Sequence, residues 1–566
     1  MPASVGRLRV PVGHDAQRWS TFPGVRTLVV AARTVTSTVR VLETLPALLR
    51  GDNRVNVIFA HDPTSAFNDG VLDLLRDAGC RVMPWSQLAD IAPDLILSAS
   101  ENIDVPEGDC PVLVLPHGVG FQKRVPDSRA NRTRLSGVVP DALLESGRAW
   151  LAISHPDQEE QLVAAHPKSD GHTLLVGDPV YDQLRASLPR AGSYRRALSV
   201  PDRQRLVVVS STWGPTSLMG RDPQLPARIL AALPYDEYRV AAIIHPNVWS
   251  GHGAWQIRTL QAAALDAGML LMPPVHAWRT ALVAADVVIG DHGSVTLYGA
   301  ALGKPLLLAA FGDDAVAGTA ITRLRRAAPS LDPCEDLRQQ IDSTAREHTP
   351  ERYAEVSAAA FADPGHALAR LRTAVYGLMR LTEPGSPPPP VLALAPAEVS
   401  STAVTAWIVA TTVSSVAGRH SITVCRYPAA TSGEVDEGSG PFLHLACDEE
   451  ERDQQLTESA SVLLRRTPSP TTVAAGRWIR ATLGRFPGSR LAAAPLTGGG
   501  FLVGLRDGRI LEAVTTEDID DPGLPAAVVY ACLRSGLSPD DITVTLRAGE
   551  LREEVALRLL PPAPLG

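Results

Sequence analysis

The sequence predicts an α/β protein of two Rossmann-like lobes followed by a C-terminal α+β domain, and three observations carry that prediction. From Arg26 onward, short aliphatic runs alternate with segments of helical period, the signature of βαβ units around a parallel sheet. The alternation occurs as two separate series, which implies two sheets. The stretch Glu383-Pro-Gly-Ser-Pro-Pro-Pro-Pro390 then interrupts the chain with residues that cannot pair into a sheet.

The first series places strands at Thr27–Ala31, Val55–Phe59, Arg81–Met83, Leu95–Leu97 and Val112–Leu115, with helices at Val35–Leu49 and Thr64–Ala78. The second begins after the runs Trp150–Ile153 and Leu174–Val176. Its strands are expected at Leu206–Val209, Arg239–Ile244, Met269–Met272, Val287–Ile289 and Leu306–Ala309, and its helices at Pro226–Leu233, Trp255–Ala267, Trp278–Ala284 and Val295–Leu302. Fully aliphatic runs are what strands buried on both faces require. Beyond the proline stretch the pattern changes to strands at Ile422–Arg426 and Phe442–Ala446, a hairpin over Gly500–Val514, and helices near Glu450–Leu464, Thr472–Leu483 and Pro525–Leu533. The domains read as an extension at 1–25, lobes at 26–170 and 171–380, a linker at 381–400 and an α+β domain at 401–566.

Composition narrows the classes. A chain of 566 residues with 45% hydrophobic and 20% charged residues resembles ordinary globular proteins, and its mean hydropathy is +0.03. The net charge of -8 offers no basic field for nucleic-acid phosphates. Met1–Ser20 lacks the apolar core of a signal peptide, and no run is long enough to span a bilayer, so a cytoplasmic location is expected. Cys80, Cys110, Cys334, Cys425, Cys447 and Cys532 form no C-x-x-C pair and are read as reduced thiols without a zinc site.

The chemistry-bearing motifs all follow predicted strands, at the sheet edge where open α/β proteins place ligands. Leu115-Pro-His117-Gly118-Val-Gly-Phe-Gln-Lys123 offers a base, a cation and glycines that allow close backbone approach. Gly177-Asp178-Pro179-Val-Tyr-Asp182 is a turn opening a helix that Asp182 is expected to cap. Ser210-Ser211-Thr212-Trp213 supplies hydroxyls and an indole that packs on a base or on the facing lobe. Ile244-His245-Pro246 ends another strand with an imidazole. Asp291-His292-Gly293-Ser294-Val295 is a glycine-serine turn at a helix start, where free N–H groups and the positive dipole end suit a diphosphate; Asp291 is expected to brace that turn. Nucleotide-binding P-loops, an early G-x-G-x-x-G, H-E-x-x-H and G-x-S-x-G are absent from the sequence.

In the order of these pieces the chain resembles the CDP-glycerol glycerophosphotransferase family, the teichoic acid polymerases, and more distantly the UDP-N-acetylglucosamine 2-epimerases, both of the GT-B fold. Pro116-His117-Gly118 through Lys123 is similar to the family's His-Gly-Thr-x-x-Lys loop, Gly177–Asp182 to its Gly-x-Pro-x-x-Asp turn, and Ser211-Thr212-Trp213 to its Pro-Thr-Trp. His245-Pro246 matches its His-Pro, and Asp291-His-Gly293-Ser294 its Ser-Asp-Tyr-Ser-Ser. The chain departs from the pattern at Val119 (family Thr), at Gln122 with Lys123 one place later, and at Tyr298, where the family carries an acid. The resemblance implies a first lobe facing the acceptor and a second holding a nucleotide-diphosphate-linked donor as substrate, with no metal and no resident cofactor. It implies His117 as the base toward an acceptor hydroxyl and His245 as a catalytic partner neutralising the diphosphate. Gly118, Lys123, Ser211, Thr212, Trp213, Asp291, Gly293, Ser294 and Val295 are the expected donor and phosphate contacts. Transfer of a glycerophosphate or glycosyl group, epimerisation of a nucleotide sugar, and a catalytically silent binding protein remain open. So do an acceptor at a membrane surface and a protein partner for the C-terminal domain.

Overall fold

The computed structural model describes residues 21–22, 24–126, 133–399, 401–431, 442–516 and 519–561. Most of the expected extension 1–25 lies outside the described residues. The first lobe contains strands β1 (Arg26–Ala32), β2 (Val55–His61), β3 (Val82–Pro84), β4 (Leu95–Ser98), β5 (Val112–Val114), β8 (Ala149–Ile153) and β9 (Thr173–Leu175), with a small ribbon of β6 (Arg124–Pro126) and β7 (Thr133–Leu135) inserted between them. The seven long-range strands form one parallel sheet in the order β3-β2-β1-β4-β5-β8-β9. Leu95–Ser98 and Val112–Val114 are buried on both faces, which is why these runs carry no polar alternation.

The boundary drawn at 170/171 is corrected by this pairing, because β9 closes the first sheet. The helix Ala367–Leu378 also returns to the first lobe, burying Leu371, Val375 and Tyr376 against Leu28, Val41 and Leu45. Sequence adjacency cannot reveal a helix that crosses back over the other lobe to cover an aliphatic face. The helix expected over Thr64–Ala78 spans only Val71–Asp77, leaving a loop before it.

The second lobe holds β10 (Arg205–Ser211), β11 (Tyr238–Ile244), β12 (Leu270–Leu271), β13 (Val287–Gly290) and β14 (Leu306–Leu308), parallel in the order β12-β11-β10-β13-β14. In both lobes the strand order reverses beside the first strand, between β1 and β4 and between β10 and β13. A crevice opens at such a reversal, beyond the carboxyl ends of the strands.

The C-terminal domain is a closed barrel of β15 (Ala406–Val416), β16 (Arg419–Pro428), β17 (Phe442–Asp448), β18 (Val462–Leu464), β19 (Leu491–Pro495), β20 (Phe501–Leu505), β21 (Ile510–Thr515), β22 (Ile542–Ala548) and β23 (Leu551–Leu559). Its helix Gly523–Ser535 is buried continuously from Gly523 to Cys532 and packs with the inward faces of the strands. A helix apolar all round belongs in such an interior. The expected α+β content is present, but the helix predicted over Glu450–Leu464 is a short one, Gln454–Ser459, capped by Asp453, followed by the buried strand β18. The linker is docked rather than free: Leu394 is buried in the second-lobe core, and its carbonyl accepts from the Tyr194 hydroxyl at 2.9 Å. Arg426 of the barrel binds Asp236 of the second lobe at 2.5 Å and Asp521 at 2.6 Å. Among the described residues no helix is long and apolar enough to cross a membrane.

His444 on β17 is buried against the Tyr530 ring, 4.0 Å between centroids, and neither ring nitrogen has a hydrogen-bond partner among the described residues. Burial pushes its pKa down to about 3. The unfolded chain, titrating near ~6.5, therefore takes up this proton first. Its contribution to stability is complete above about pH 6.5 and is lost as pH falls toward 3, at up to about 1.4 kcal/mol per pH unit. His444→Phe is expected to flatten this acid limb in urea titrations at several pH values while leaving neutral-pH stability equal or higher.

Candidate functional site

The two crevices face each other and enclose one cavity of about 600 Å³ between the lobes. Its first-lobe wall comes from the loops after β1, β2, β4 and β5, its second-lobe wall from the loops after β10, β11 and β13. His117, Gly118, Lys123, Ser211, Thr212, Trp213, His245, Gly293, Ser294 and Val295 all line it. Asp291 does not. It is fully buried behind the wall and accepts hydrogen bonds from Thr212 N at 2.8 Å, Leu218 N at 2.9 Å and Gly293 N at 3.0 Å. The expected donor contact at Asp291 is thus corrected to a brace that ties the loop after β13 to the loop after β10.

The helix Ser294–Ala301 starts at the cavity wall with Gly293 as its cap, and no side chain caps its first amides. These N–H groups lack intrahelical partners by construction and carry the positive end of the helix dipole. A Cβ on Gly293 would stand 3.0 Å from Asp291 Oδ1 and 3.1 Å from Thr212 Cβ, and one on Gly118 only 2.5 Å from Ser294 Oγ. That approach lets the Val119 amide donate to Ser294 Oγ at 3.1 Å across the lobes.

The shift of lysine by one place has a geometric cause. Gln122 also lines the cavity but its polar groups are committed: its carbonyl accepts from Val316 N at 2.9 Å and its side-chain oxygen from Ile321 N at 3.0 Å. Its neighbour Lys123 reaches the same cavity, where its ammonium donates to Thr212 Oγ1 at 3.2 Å and lies 3.7 Å from Asp314. Burial lowers the Lys123 pKa although Asp291 and Asp314 both act to raise it. His245 accepts from Asn247 N at 3.1 Å through Nδ1, leaving the proton of the neutral ring on Nε2. Burial, then the neighbouring His117 and Lys123, push its pKa down to about 3.

Trp213 meets Phe67 of the facing lobe edge-on at 5.6 Å, so the indole takes the inter-lobe contact of its two expected partners. Asp178, rather than Asp182, caps the helix Pro179–Ser187; Asp182 instead accepts from Gly365 N at 2.6 Å and Ala367 N at 3.0 Å. The Tyr298 hydroxyl donates to Asp178 at 2.6 Å, and Arg40 of the first lobe reaches the same carboxylate at 2.9 Å.

Sequence reasoning missed Arg40, Glu101, Arg134, His292 and Asp314. Glu101 is buried at the cavity wall 2.9 Å from Arg134. Burial acts to raise its pKa, but Arg134 and His117 outweigh it and hold the carboxyl below its ordinary range. His292 sits inside the Asp291–Ser294 motif and was visible as a strand-end imidazole, whereas Asp313-Asp314 reads in sequence as a solvated turn.

No family model and no curated protein matches this chain. Among solved structures it is similar to a variant of the wall teichoic acid polymerase TagF, at 12% identity over 63% of this chain and 88% of that chain, TM-score 0.44. It is similar to the UDP-GlcNAc 2-epimerase from Neisseria meningitidis bound to UDP-GlcNAc, at 14% identity over 62% of this chain and 100% of that one, TM-score 0.39. A glycosyltransferase from Rickettsia africae ESF-5 is 11% identical over 63% of this chain and 98% of its own, TM-score 0.36.

Gly118→Ala is expected to force the lobes apart against Ser294 and cost about 1–3 kcal/mol. Adding Ser294→Gly restores part of the melting temperature if this contact is the cause, a double-mutant cycle that thermal denaturation reads directly.

Proposed function

We propose that the chain is a GT-B-type transferase that moves a glycerophosphate or glycosyl group from a nucleotide-diphosphate donor to an acceptor hydroxyl. The observation that carries this reading is the convergence on one cavity of a helix start at Ser294–Val295 without a side-chain cap, the Lys123 ammonium, and the His117 and His245 imidazoles. An anionic group seated at the helix start would meet N–H donors and positive potential together.

In this scheme the acceptor oxygen attacks phosphorus or the anomeric carbon in line with the departing nucleotide oxygen. Its proton passes to His117, which is exposed to the cavity and neighbours the Glu101–Arg134 pair. As the new bond to oxygen forms, the bond to the nucleotide phosphate breaks and its electron pair stays on the leaving oxygen. Lys123, the Nε2–H of neutral His245 and the helix amides stabilise that charge. Orientation and electrostatics then carry the rate, without a covalent enzyme intermediate. Among the described residues, none of the barrel lines the cavity.

One observation favours the rival reading of a silent binding protein. Tyr298 stands where the resemblance implies an acidic residue, and its hydroxyl is committed to Asp178. That reading keeps the ligand and removes the reaction.

Thermal shift with CDP-, UDP-, GDP- and ADP-linked compounds separates the readings. A ligand at ~100 times its dissociation constant stabilises by ~2.7 kcal/mol, and one nucleotide class is expected to do so. His117→Ala is expected to abolish turnover of that compound with its affinity nearly unchanged, and His245→Ala to weaken its binding. Binding without turnover in the unaltered protein selects the silent reading; no stabilisation by any compound rejects both.

A further inference from the structure

The chain contains only three lysines, Lys123, Lys168 and Lys304, against an arginine-rich remainder. Lys168 is a surface cation paired with Asp141 and Glu145. Lys304 is spent on the carbonyls of Val283 at 2.7 Å and Ala285 at 2.9 Å. The third lies at the cavity, where a compact, strongly hydrated point charge differs in kind from a planar guanidinium fork.

What surrounds Lys123 is built, and built from the other lobe. Its backbone pairs with Ala315 in an isolated antiparallel bridge, flanked by Arg124 N donating to Asp314 O at 2.7 Å and Val316 N to Gln122 O at 2.9 Å. The second lobe thereby carries the Asp314 carboxylate beneath the lysine. That carboxylate is held in turn by His292, whose Nε2 donates to it at 2.9 Å, and by the Thr216 hydroxyl at 3.3 Å. His292 is buried and has its tautomer set, because Nδ1 accepts from Gly312 N at 3.2 Å. Gly312 has no room for a side chain: a Cβ would stand 2.8 Å from His292 Nε2 and 2.8 Å from Thr216 Oγ1. The chain of contacts therefore runs His292 to Asp314 to Lys123 and ends on Thr212 at the cavity wall.

We infer that Asp314 and His292 are positioning residues that hold the Lys123 ammonium in place as the cation for a diphosphate-type anion. This rests on the anion-binding reading proposed above. The acidic pair of this turn is thus divided between roles, Asp314 supporting the lysine. The groups that act on Lys123 are Asp314 and Asp291 from the second lobe, with His245 near enough to feel its charge. Without Asp314, desolvation of the ammonium is opposed by Asp291 alone among these carboxylates.

The test uses the full-length protein carrying carbon-13-labelled lysine, whose three side-chain resonances are assigned by the loss of one in Lys123→Arg. Titration between about pH 8 and 11 reads each ammonium, and inorganic pyrophosphate serves as the anion in calorimetry. In Asp314→Asn the Lys123 midpoint is expected to move to lower pH, with Lys168 and Lys304 unmoved, and pyrophosphate affinity to fall about tenfold, the loss of one charge-assisted contact. His292→Gln is expected to move both readouts in the same direction by less. An unmoved Lys123 midpoint in Asp314→Asn overturns the inference, and so does tighter pyrophosphate binding, which would make Asp314 a repelling bystander. If the unaltered protein binds no pyrophosphate, the functional reading fails by itself while the lysine titration still decides whether Asp314 holds Lys123.

Discussion

A buried carboxylate, Asp178, ties the two lobes to each other behind the cavity. Arg40 reaches it from the first lobe with its side chain 5% exposed, Tyr298 reaches it from the second at 2.6 Å, and Asp178 itself caps the helix at the crossover. Placing these charges out of water is costly, and the cost is offset because each carboxylate oxygen has a donor: Oδ1 accepts from Arg40, Val180 N and Tyr181 N, and Oδ2 from Tyr298. The same Arg40 donates through Nε to the carbonyl of Pro116 at 3.1 Å, one residue before His117. Tyr298 lies on the helix whose first amides face the cavity. The base-bearing loop and the anion-facing helix are thus positioned from one common origin. The Val119–Ser294 contact and the Gln122 clamp then fix the gap between them.

The parts of this arrangement that depend on local pattern were legible in the sequence. Aliphatic runs bounded by glycine and proline located the main strands of both lobes, and their ends located the loops that carry His117, Thr212, His245 and Ser294. The parts that depend on long-range partnership were not. That Gln122 is committed to Val316 and Ile321 while Lys123 keeps its ammonium at the cavity is decided by pairing with residues almost two hundred positions away. Arg40 looks in sequence like a polar residue of an amphipathic helix, and Asp178 like an ordinary turn former. Glu101 and Arg134 belong to loops whose composition gives no hint that they meet. In the barrel, the hairpin over Gly500–Val514 was readable, but closure of nine strands around the helix Gly523–Ser535 is a property of register that no window of the sequence contains.

The barrel is fastened to the second lobe through Arg426 and the docked linker. Arg426 is sandwiched between Asp236 and Asp521 and packs over Trp407, while the linker before it is pinned by Tyr194 and Ser187. A domain fixed through buried charge pairs moves with its neighbour. The first lobe is joined to the second by the hydrogen bonds around the cavity, by the Glu43–Arg279 pair and by the helix Ala367–Leu378 that crosses back over it.

The central claim is that this cavity seats a diphosphate against the start of the helix Ser294–Ala301. A crystal structure of the protein soaked with the nucleoside diphosphate that stabilises it most tests this directly. The account predicts phosphate oxygens within hydrogen-bond distance of the amides of Ser294–Thr296 and of Lys123 Nζ, with His245 Nε2 directed at the same group. A nucleotide bound elsewhere on the molecule, or one inside the cavity with its phosphates turned away from that helix, would contradict it.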